Sequence, residues 1–213
     1  MPINLQEQLQ KLGINISSQV IAKEVAFVGE LMRWNKKINL TAIKDHDEVL
    51  EKHLLDSLVL NNFLGDGCKV LDLGSGGGFP GLVLAIANSK VKVVSVESVG
   101  KKVNFQKHIK RLFSIDNFKP IGDRVENLLM RGDFKSEFDI VTARAFASLE
   151  AIVGMSEPLL AAQGKIIAMK GPEGETELAA MGKEKLKNFK EISIESYKLP
   201  LSGSNRRLIV LQK

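Results

Sequence analysis

The residues best suited to chemistry lie in one stretch, Lys69 to Gly81, which reads K-V-L-D-L-G-S-G-G-G-F-P-G. Asp72 sits in an apolar run (Val70, Leu71, Leu73), and glycines follow at positions 74, 76, 77, 78 and 81. Past Gly81 the chain continues Leu-Val-Leu-Ala-Ile-Ala without a breaker. The spacing predicts a strand, a glycine turn and a helix, with Pro80 in the first helical turn. Glycines allow positive φ and close approach of backbone to a ligand. The helix N-terminus turns unpaired N–H groups toward the same spot.

Two nucleotide ligands compete for such a turn. Gly76-x-Gly78-x-x-Gly81 has the spacing of a dinucleotide fingerprint and suits NAD. Gly74-x-Gly76-x-Gly78 with Asp72 two residues ahead suits S-adenosylmethionine, and Asp72 favours it over NAD: a carboxylate there repels a pyrophosphate but attracts the ammonium of a methionine moiety. The next strand ends in Glu97, about 20 residues past the glycines, where a carboxylate can accept hydrogen bonds from both ribose hydroxyls. A tight turn with no ligand is the plainer alternative, which five glycines after a strand disfavour.

Ligands of open α/β sheets sit outside the carboxyl ends of the strands. The polar residues there are Asp72, Glu97, the turn Asp123-Arg124-Val125-Glu126, Arg144 and Lys170. The Asp123–Glu126 turn is placed to meet an adenine edge. Arg144 and Lys170 flank the place where a methyl acceptor must approach, and two cations suit a phosphodiester; alternatively Arg144 pairs with Asp72 or Glu97 and braces the site. No Asn/Asp-Pro-Pro-aromatic turn for an exocyclic amine follows the fourth strand, which ends Thr142-Ala-Arg-Ala145. Cys68, the only cysteine, precedes the first strand and is badly placed as the nucleophile that pyrimidine C5 methylation needs. A ring nitrogen such as guanine N7 needs neither. Alignment alone can then supply about 7–11 kcal/mol of the barrier, and no general base is expected.

These residues need a frame. Strands are read at 69–73, 91–97, 117–121, 138–143, 164–170, 191–199 and 206–212, with helices at 80–88, 100–113, 124–130, 148–161 and 175–189. The alternation implies a mainly parallel sheet with helices on both faces. The short link Pro200–Asn205 makes the last two strands an antiparallel hairpin. The expected fold is α/β: a Rossmann-like, class I methyltransferase sheet of seven strands, mostly parallel, behind an N-terminal helical extension. Residues 1–62 form that extension and 63–213 the S-adenosylmethionine-dependent domain, the whole one compact unit. In the extension, Val20, Ile21, Val25, Val28, Leu31 and Met32 recur at helical spacing after Ser17 and Ser18, and 46–60 reads as one further amphipathic helix. Between them, W-N-K-K-I-N-L-T (34–41) reads both as a helix end with Trp34 on the core and as a basic loop facing the site.

With 213 residues, 44% apolar and 26% charged, the chain can bury one substantial core. Thirty basic against twenty-five acidic residues give +5, compatible with an anionic partner without demanding one. A single cysteine excludes an internal disulfide and a cysteine-rich metal site. No apolar run reaches about 18 residues, and no basic-then-apolar leader opens the chain, so a cytoplasmic protein is expected, away from membranes. The basic helix 100–111 and the lysines at 183, 185, 187 and 190 read as solvated faces. Arg206-Arg207, beside a glycine-serine turn, is the more interesting pair.

The sequence resembles, over nearly its full length, the bacterial small-subunit ribosomal RNA guanine-N7 methyltransferases, the RsmG or GidB family. The motifs that carry the resemblance are W-N-K-K-I-N-L-T (34–41), H-L-L-D-S-L (53–58), D-L-G-S-G-G-G-F-P-G (72–81), E-S-V-G-K-K-V-N-F (97–105), R-V-E (124–126), T-A-R-A (142–145), K-G (170–171) and R-R-L-I-V-L-Q-K (206–213). The resemblance implies methylation of guanine 527 of 16S ribosomal RNA, naked or in the small subunit, with S-adenosylmethionine as donor. It implies that Gly74, Phe79, Val125, Glu126 and Arg144 contact the cofactor, which moves Arg144 from the substrate side. Cofactor binding is thus expected of Asp72, Gly74, Gly76, Gly78, Phe79, Glu97, Val125, Glu126 and Arg144. RNA contacts are expected of Asn35, Lys36, Lys37, Asn39, Lys170, Arg206 and Arg207, with a monomer acting and no metal. His53 and Asp56, three apart on a helix, share a face and read as a hydrogen-bonded pair holding the N-terminal helices to the sheet. A gate over the cofactor is their second account.

An NAD-dependent oxidoreductase, a noncatalytic RNA-binding protein and a small-molecule methyltransferase are the competing readings. They differ in whether nicotinamide dinucleotide binds, whether S-adenosylmethionine binds, and whether methyl label enters RNA.

Overall fold

The computed structural model describes residues 3–213. Helix α1 (Leu5–Lys11) starts at Asn4, whose side chain accepts the Glu7 N–H. Helix α2 (Ser18–Ile38) starts at Ser17, which accepts the Val20 N–H; such caps satisfy otherwise orphaned donors. Its buried residues, Glu24, Phe27, Val28 and Leu31, follow the i, i+3, i+4, i+7 spacing of one helical face. It ends at Asn39, in left-handed backbone at φ 49°. The run expected to be one helix over 46–60 changes pitch repeatedly. Helix α3 (His46–Val49) passes into a π-helical turn (Leu50–Leu55), then α4 (Asp56–Leu58) and a 3-10 turn (Val59–Phe63).

From Lys69 the elements alternate: β1 (Lys69–Leu73), α5 (Gly81–Ala87), β2 (Lys92–Glu97), α6 (Gly100–Leu112), β3 (Phe118–Gly122), α7 (Val125–Arg131), β4 (Phe138–Arg144), α8 (Leu149–Ser156), β5 (Leu160–Lys170), α9 (Glu173–Ala180), α10 (Lys183–Leu186), β6 (Glu191–Lys198) and β7 (Asn205–Gln212). The seven strands lie in the order β3-β2-β1-β4-β5-β7-β6. The first five run parallel, and β7 inserts antiparallel between β5 and β6. This is the expected mostly parallel sheet with its antiparallel C-terminal hairpin. The chain leaves β1 toward β2 and β3, then returns to β4 on the other side. A crevice therefore opens at the carboxyl ends of β1 and β4, where such sheets take ligands.

Four expectations need correction. Pro80 is the cap before α5 and not its first turn. The helix expected over 148–161 stops at Ser156; Pro158 brings a 3-10 turn (Glu157–Leu159), and Leu160 already pairs with Phe138 in the sheet. The helix expected over 175–189 is two pieces, parted where Met181 turns extended and Gly182 follows. Strand β4 reaches one residue further than read and carries Arg144 in register with Met169.

Each face of the sheet has its own apolar cluster. One joins α1, α2 and the 46–63 run to α5, α6 and the strands; Phe27, Leu54, Val70, Leu82 and Phe105 are among its buried members. The other packs α7, α8 and the segment after α9 on the opposite face. The N-terminal helices thus cover one side of the sheet, and Leu31 of α2 presses on the glycine turn: a Cβ placed on Gly77 would lie 3.0 Å from Leu31 Cδ1.

Candidate functional site

The turn after β1 carries Gly74, Gly76 and Gly78 at φ 69°, 57° and 102°, conformations that exclude most side chains. Gly74 and Gly76 are partly exposed, whereas Gly77 and Gly78 are buried. Gly78 serves packing here, since a Cβ would lie 2.8 Å from Leu82 Cβ. Asp72 lies beneath the turn with no exposed surface, and its Oδ2 accepts the Gly81 N–H at 2.8 Å, holding the first turn of α5. Burial pushes its carboxyl up to about 6, against the pull of the Gly81 N–H and the Arg144 charge. Asp72 Oδ1 and the neighbouring Ser75 Oγ are buried without hydrogen-bond partners.

Glu97, at the end of β2, is 6% exposed. One oxygen accepts the Gly76 N–H at 2.9 Å and the other the Val99 N–H at 2.8 Å, which fixes the carboxylate plane and leaves further lone pairs. From α6, Gln106 donates to the Gly76 carbonyl at 2.8 Å, and Ser95 of β2 donates to Gln106 Oε1 at 2.6 Å. Sequence reasoning missed Gln106. A fully buried amide midway along a basic helix carries no signal until the helix is laid beside the turn.

A cleft of about 340 Å³ follows, lined by Gly74, Val96, Glu97, Ser98, Lys102, Asp123, Arg124, Val125, Glu126, Ala145 and Phe146. It lies within the range of small-molecule sites. Apolar Val96, Val125 and Phe146 suit a flat base, Glu97 suits vicinal hydroxyls, and the partly exposed, side-chain-free Gly74 and Gly76 let a chain cross the turn closely. The residues fit S-adenosylmethionine, with Glu97, Gly74, Gly76, Val125 and Glu126 placed to hold it. Asp123 is occupied by the Arg124 N–H, Asn127 and Arg131. Phe146 was not anticipated; its ring takes the space a Cβ on Gly74 would need, 2.2 Å from that position.

Phe79 is 4% exposed. Its ring packs on Phe27 at 5.3 Å and stacks on His53 at 4.8 Å, with the Arg144 guanidinium 5.3 Å from its centre. Arg144 does not pair with Asp72 or Glu97. Its Nη1 donates to the Lys52 carbonyl at 2.7 Å and to Asp56 Oδ2 at 3.4 Å, and its Nη2 to His53 Nδ1 at 3.0 Å. His53 Nε2 lies 2.7 Å from Thr41 Oγ1. Nδ1 also lies 3.2 Å from the Lys52 carbonyl oxygen, but the closer guanidinium can only donate, so Nδ1 accepts from Arg144 and the imidazole is assigned as the neutral Nε2–H form. Burial, then the Arg144 charge, lowers its pKa to about 3.

Asp56, 3% exposed, also accepts from Tyr197 Oη at 2.8 Å and faces Arg206 Nε at 3.3 Å. The expected direct His53–Asp56 bond is absent among the described residues. In its place Arg144 joins the two, because the π-helical turn breaks the i, i+3 geometry assumed for that pair. His53, Asp56, Arg144 and Arg206, with Lys52, Lys170 and Glu173, line a second pocket of about 510 Å³, which shares Ala145 with the cleft.

The expected RNA contacts divide. Lys170 is turned inward to the Ala147 carbonyl at 2.8 Å and Glu177 at 3.0 Å, and Arg207 pairs with Glu175. Asn35 is spent on its own loop, accepting the Leu40 and Thr41 N–H groups and donating to the Thr41 carbonyl. Lys36, Lys37 and Asn39 are exposed at the end of α2, while Trp34 packs on Phe105 and His108. Cys68 stands before β1, its thiol pushed up to about 11 by burial.

Comparison with known proteins gives concordant findings. A family model described as GidB, rRNA small subunit methyltransferase G, matches residues 20–209. A ribosomal RNA small subunit methyltransferase G of Syntrophotalea carbinolica is 42% identical over 214 positions, spanning 100% of this chain and 98% of that one. The protein of the same name from Geobacter metallireducens is 43% identical over 203 positions, 94% and 91% of the two chains. Among solved structures, a SAM-dependent methyltransferase from Aquifex aeolicus superposes with a TM-score of 0.55 at 15% identity, covering 78% of this chain and 92% of that one. A precorrin-6y C5,15-methyltransferase from Geobacter metallireducens gives 0.52 at 15% identity, over 82% and 91%. At that identity the structures speak for the fold alone.

Proposed function

Because the chain belongs to the rRNA small subunit methyltransferase G family, we propose that it methylates N7 of a guanine in 16S ribosomal RNA, position 527 by family resemblance, with S-adenosylmethionine as donor. The observation that carries this reading is the pairing of two pockets at one wall. A cleft suited to a nucleoside, floored by Gly74 and Glu97, adjoins at Ala145 a cationic pocket holding Arg144 and Arg206. The reading places the protein with its RNA in the cytoplasm, acting as a monomer; among the described residues no helix is long and apolar enough to cross a membrane.

When bound, the donor supplies a methyl group on a sulfonium, which a guanine N7 lone pair accepts without releasing a proton. The chain's own residues therefore align and enclose. Glu97 fixes the ribose, the Gly74–Gly76 backbone receives the methionine end, and Val125 with Glu126 borders the base. His53, which lines the second pocket, is engaged at both ring nitrogens, and the reading gives it no proton to take. Arg206 and the exposed Lys36, Lys37 and Asn39 meet the RNA, whose backbone charge favours such contacts. Asn35, Lys170 and Arg207 shape the surface from beneath.

Transfer of labelled methyl groups to undermethylated 16S RNA, naked and within small subunits, followed by nucleotide mapping, tests the reading. Label is expected at one guanine N7. Label on protein or on a metabolite alone would overturn it.

A further inference from the structure

The corner after β5 reads K-G-P-E-G over 170–174, and the reaction as described gives its carboxylate, Glu173, no task. Both glycines serve close packing. A Cβ on Gly174 would lie 2.7 Å from Lys170 Cβ, and one on Gly171 would lie 2.5 Å from Glu173 Oε2. The carboxylate is thus folded back over Gly171, whose N–H it accepts through Oε1 at 3.1 Å. Gly171, Pro172 and Glu173 all line the second pocket.

A carboxylate there works against an anionic substrate, and the pocket's own cations do not require it. Lys52 pairs with Glu48, Lys170 with Glu177, and Arg144 and Arg206 with Asp56. Among the described residues Glu173 forms no ion pair, and the Gly171 N–H is the one hydrogen bond its carboxylate accepts. Oε2 and a lone pair of Oε1 are left for further donors.

The sheet gives those free acceptors a direction. In the order β3-β2-β1-β4-β5 the nucleoside cleft lies at the ends of β1, β2 and β3, whereas Glu173 follows β5, beyond β4. Ala145, just past β4, is the residue the two pockets share. A base in the second pocket must turn N7 toward Ala145 to meet the methyl group, so its other end faces the β5 corner. In guanine the N2 amino group lies across the purine from N7, next to N1–H. Guanine alone of the four bases presents two adjacent donors on that edge, and one carboxylate can accept both. Adenine would bring an unprotonated N1, lone pair against lone pair.

We propose that Glu173 is a specificity-determining residue for guanine: its carboxylate accepts N1–H and N2–H of the target base and so presents N7 to the donor. The inference rests on the guanine-N7 reading above and deepens it. Arg144 takes no part in this contact. The base is held by the edge that does not react, and the methyl-accepting lone pair stays uncovered.

The test compares wild type, Glu173→Ala and Glu173→Gln in the full chain on two target-site RNAs, one with guanine and one with inosine at the methylated position. Inosine keeps N7, O6 and N1–H and lacks only the N2 amino group. Wild type is expected to favour guanine by at least about tenfold in kcat/KM, the worth of one hydrogen bond to a charged group. Glu173→Ala should lower kcat/KM on the guanine RNA by at least about tenfold and bring the guanine-to-inosine ratio within about twofold. Glu173→Gln, which can accept but carries no charge, should fall between. S-adenosylhomocysteine affinity by calorimetry should stay within about twofold in both variants, since the cleft lies on the other side of β4. A wild-type ratio near one, or a ratio undiminished in Glu173→Ala, would overturn the contact. An equal loss on both RNAs in Glu173→Ala would also overturn it and leave Glu173 a brace for the corner. Wild-type protein that methylates neither RNA would instead overturn the function beneath it, and the assignment with it.

Discussion

Gly76 and Gly78 stand two residues apart in the same turn, both at positive φ, yet a methyl group would meet different surroundings at each. On Gly76 the nearest atom to an added Cβ is the Gly74 carbonyl oxygen at 3.9 Å; on Gly78, Leu82 Cβ and Cδ2 stand at 2.8 and 3.0 Å. Gly76→Ala therefore bears only the left-handed backbone, about 1–2 kcal/mol, which for a chain of this size lowers Tm by about 2–8 °C. Gly78→Ala bears a comparable backbone cost and adds overlap in a packed core, about 1–3 kcal/mol more. For ligand binding the order reverses. Gly76 is partly exposed in the turn, hydrogen-bonded to the Glu97 carboxylate that lines the cleft, and Gly78 is buried, so Gly76→Ala should weaken S-adenosylhomocysteine binding at least tenfold, while folded Gly78→Ala loses less. Urea denaturation and calorimetry on the two proteins measure both quantities. Wild-type affinity in Gly76→Ala would place the nucleoside elsewhere, and equal stability of the two variants would refute the packing role of Gly78.

Glu24 is 1% exposed on the buried face of α2, neither carboxyl oxygen has a hydrogen-bond partner, and burial holds its pKa well above the ordinary value. Its contribution to stability is fully present below the unfolded pKa and lost as pH rises through the folded one. Glu24→Met should thus gain about 1–3 kcal/mol near pH 7.5 and much less near pH 4, by urea denaturation at both; a pH-independent difference would contradict the burial. His53 has the opposite sign, its folded pKa of about 3 lying below the ordinary 6.5. The stability it contributes is full above 6.5 and drains as pH falls toward 3, so the wild-type midpoint should drop over that window more steeply than that of His53→Leu. Lys36→Glu with Lys37→Glu should weaken RNA binding and flatten its salt dependence while sparing S-adenosylhomocysteine; unchanged RNA affinity would give the end of α2 a purely structural role.

Much of the frame was legible because its signals are local. Alternating apolar runs and helical periodicity gave seven strands in the right places, and the short Pro200–Asn205 link gave the antiparallel hairpin. What local signals hid was pitch and partnership. Nothing in L-E-K-H-L-L announces a π-helical turn, and the spacing that pairs His53 with Asp56 holds only for regular α-helix. Pro158 could have warned that the helix after Ser148 was too long. The cleft's acid and glycines came directly from spacing, whereas Gln106, Phe146 and Tyr197 come to the site through contacts 30 or more residues apart in sequence, or through a ring seated against a glycine. Arg144 is expected at the cofactor, and its hydrogen-bond partners lie in the N-terminal helices, across 88 to 92 residues of sequence.

Gly76 is gripped from two directions, by a strand-end carboxylate on its N–H and by a helix amide on its carbonyl. The turn beside the nucleoside cleft is consequently finished before any guest arrives, and little chain freedom is left to surrender on arrival. It also makes Ser95 and Gln106 remote controls. A substitution at either, wholly out of a ligand's reach, would loosen the grip and show itself as a faster departure of the cofactor.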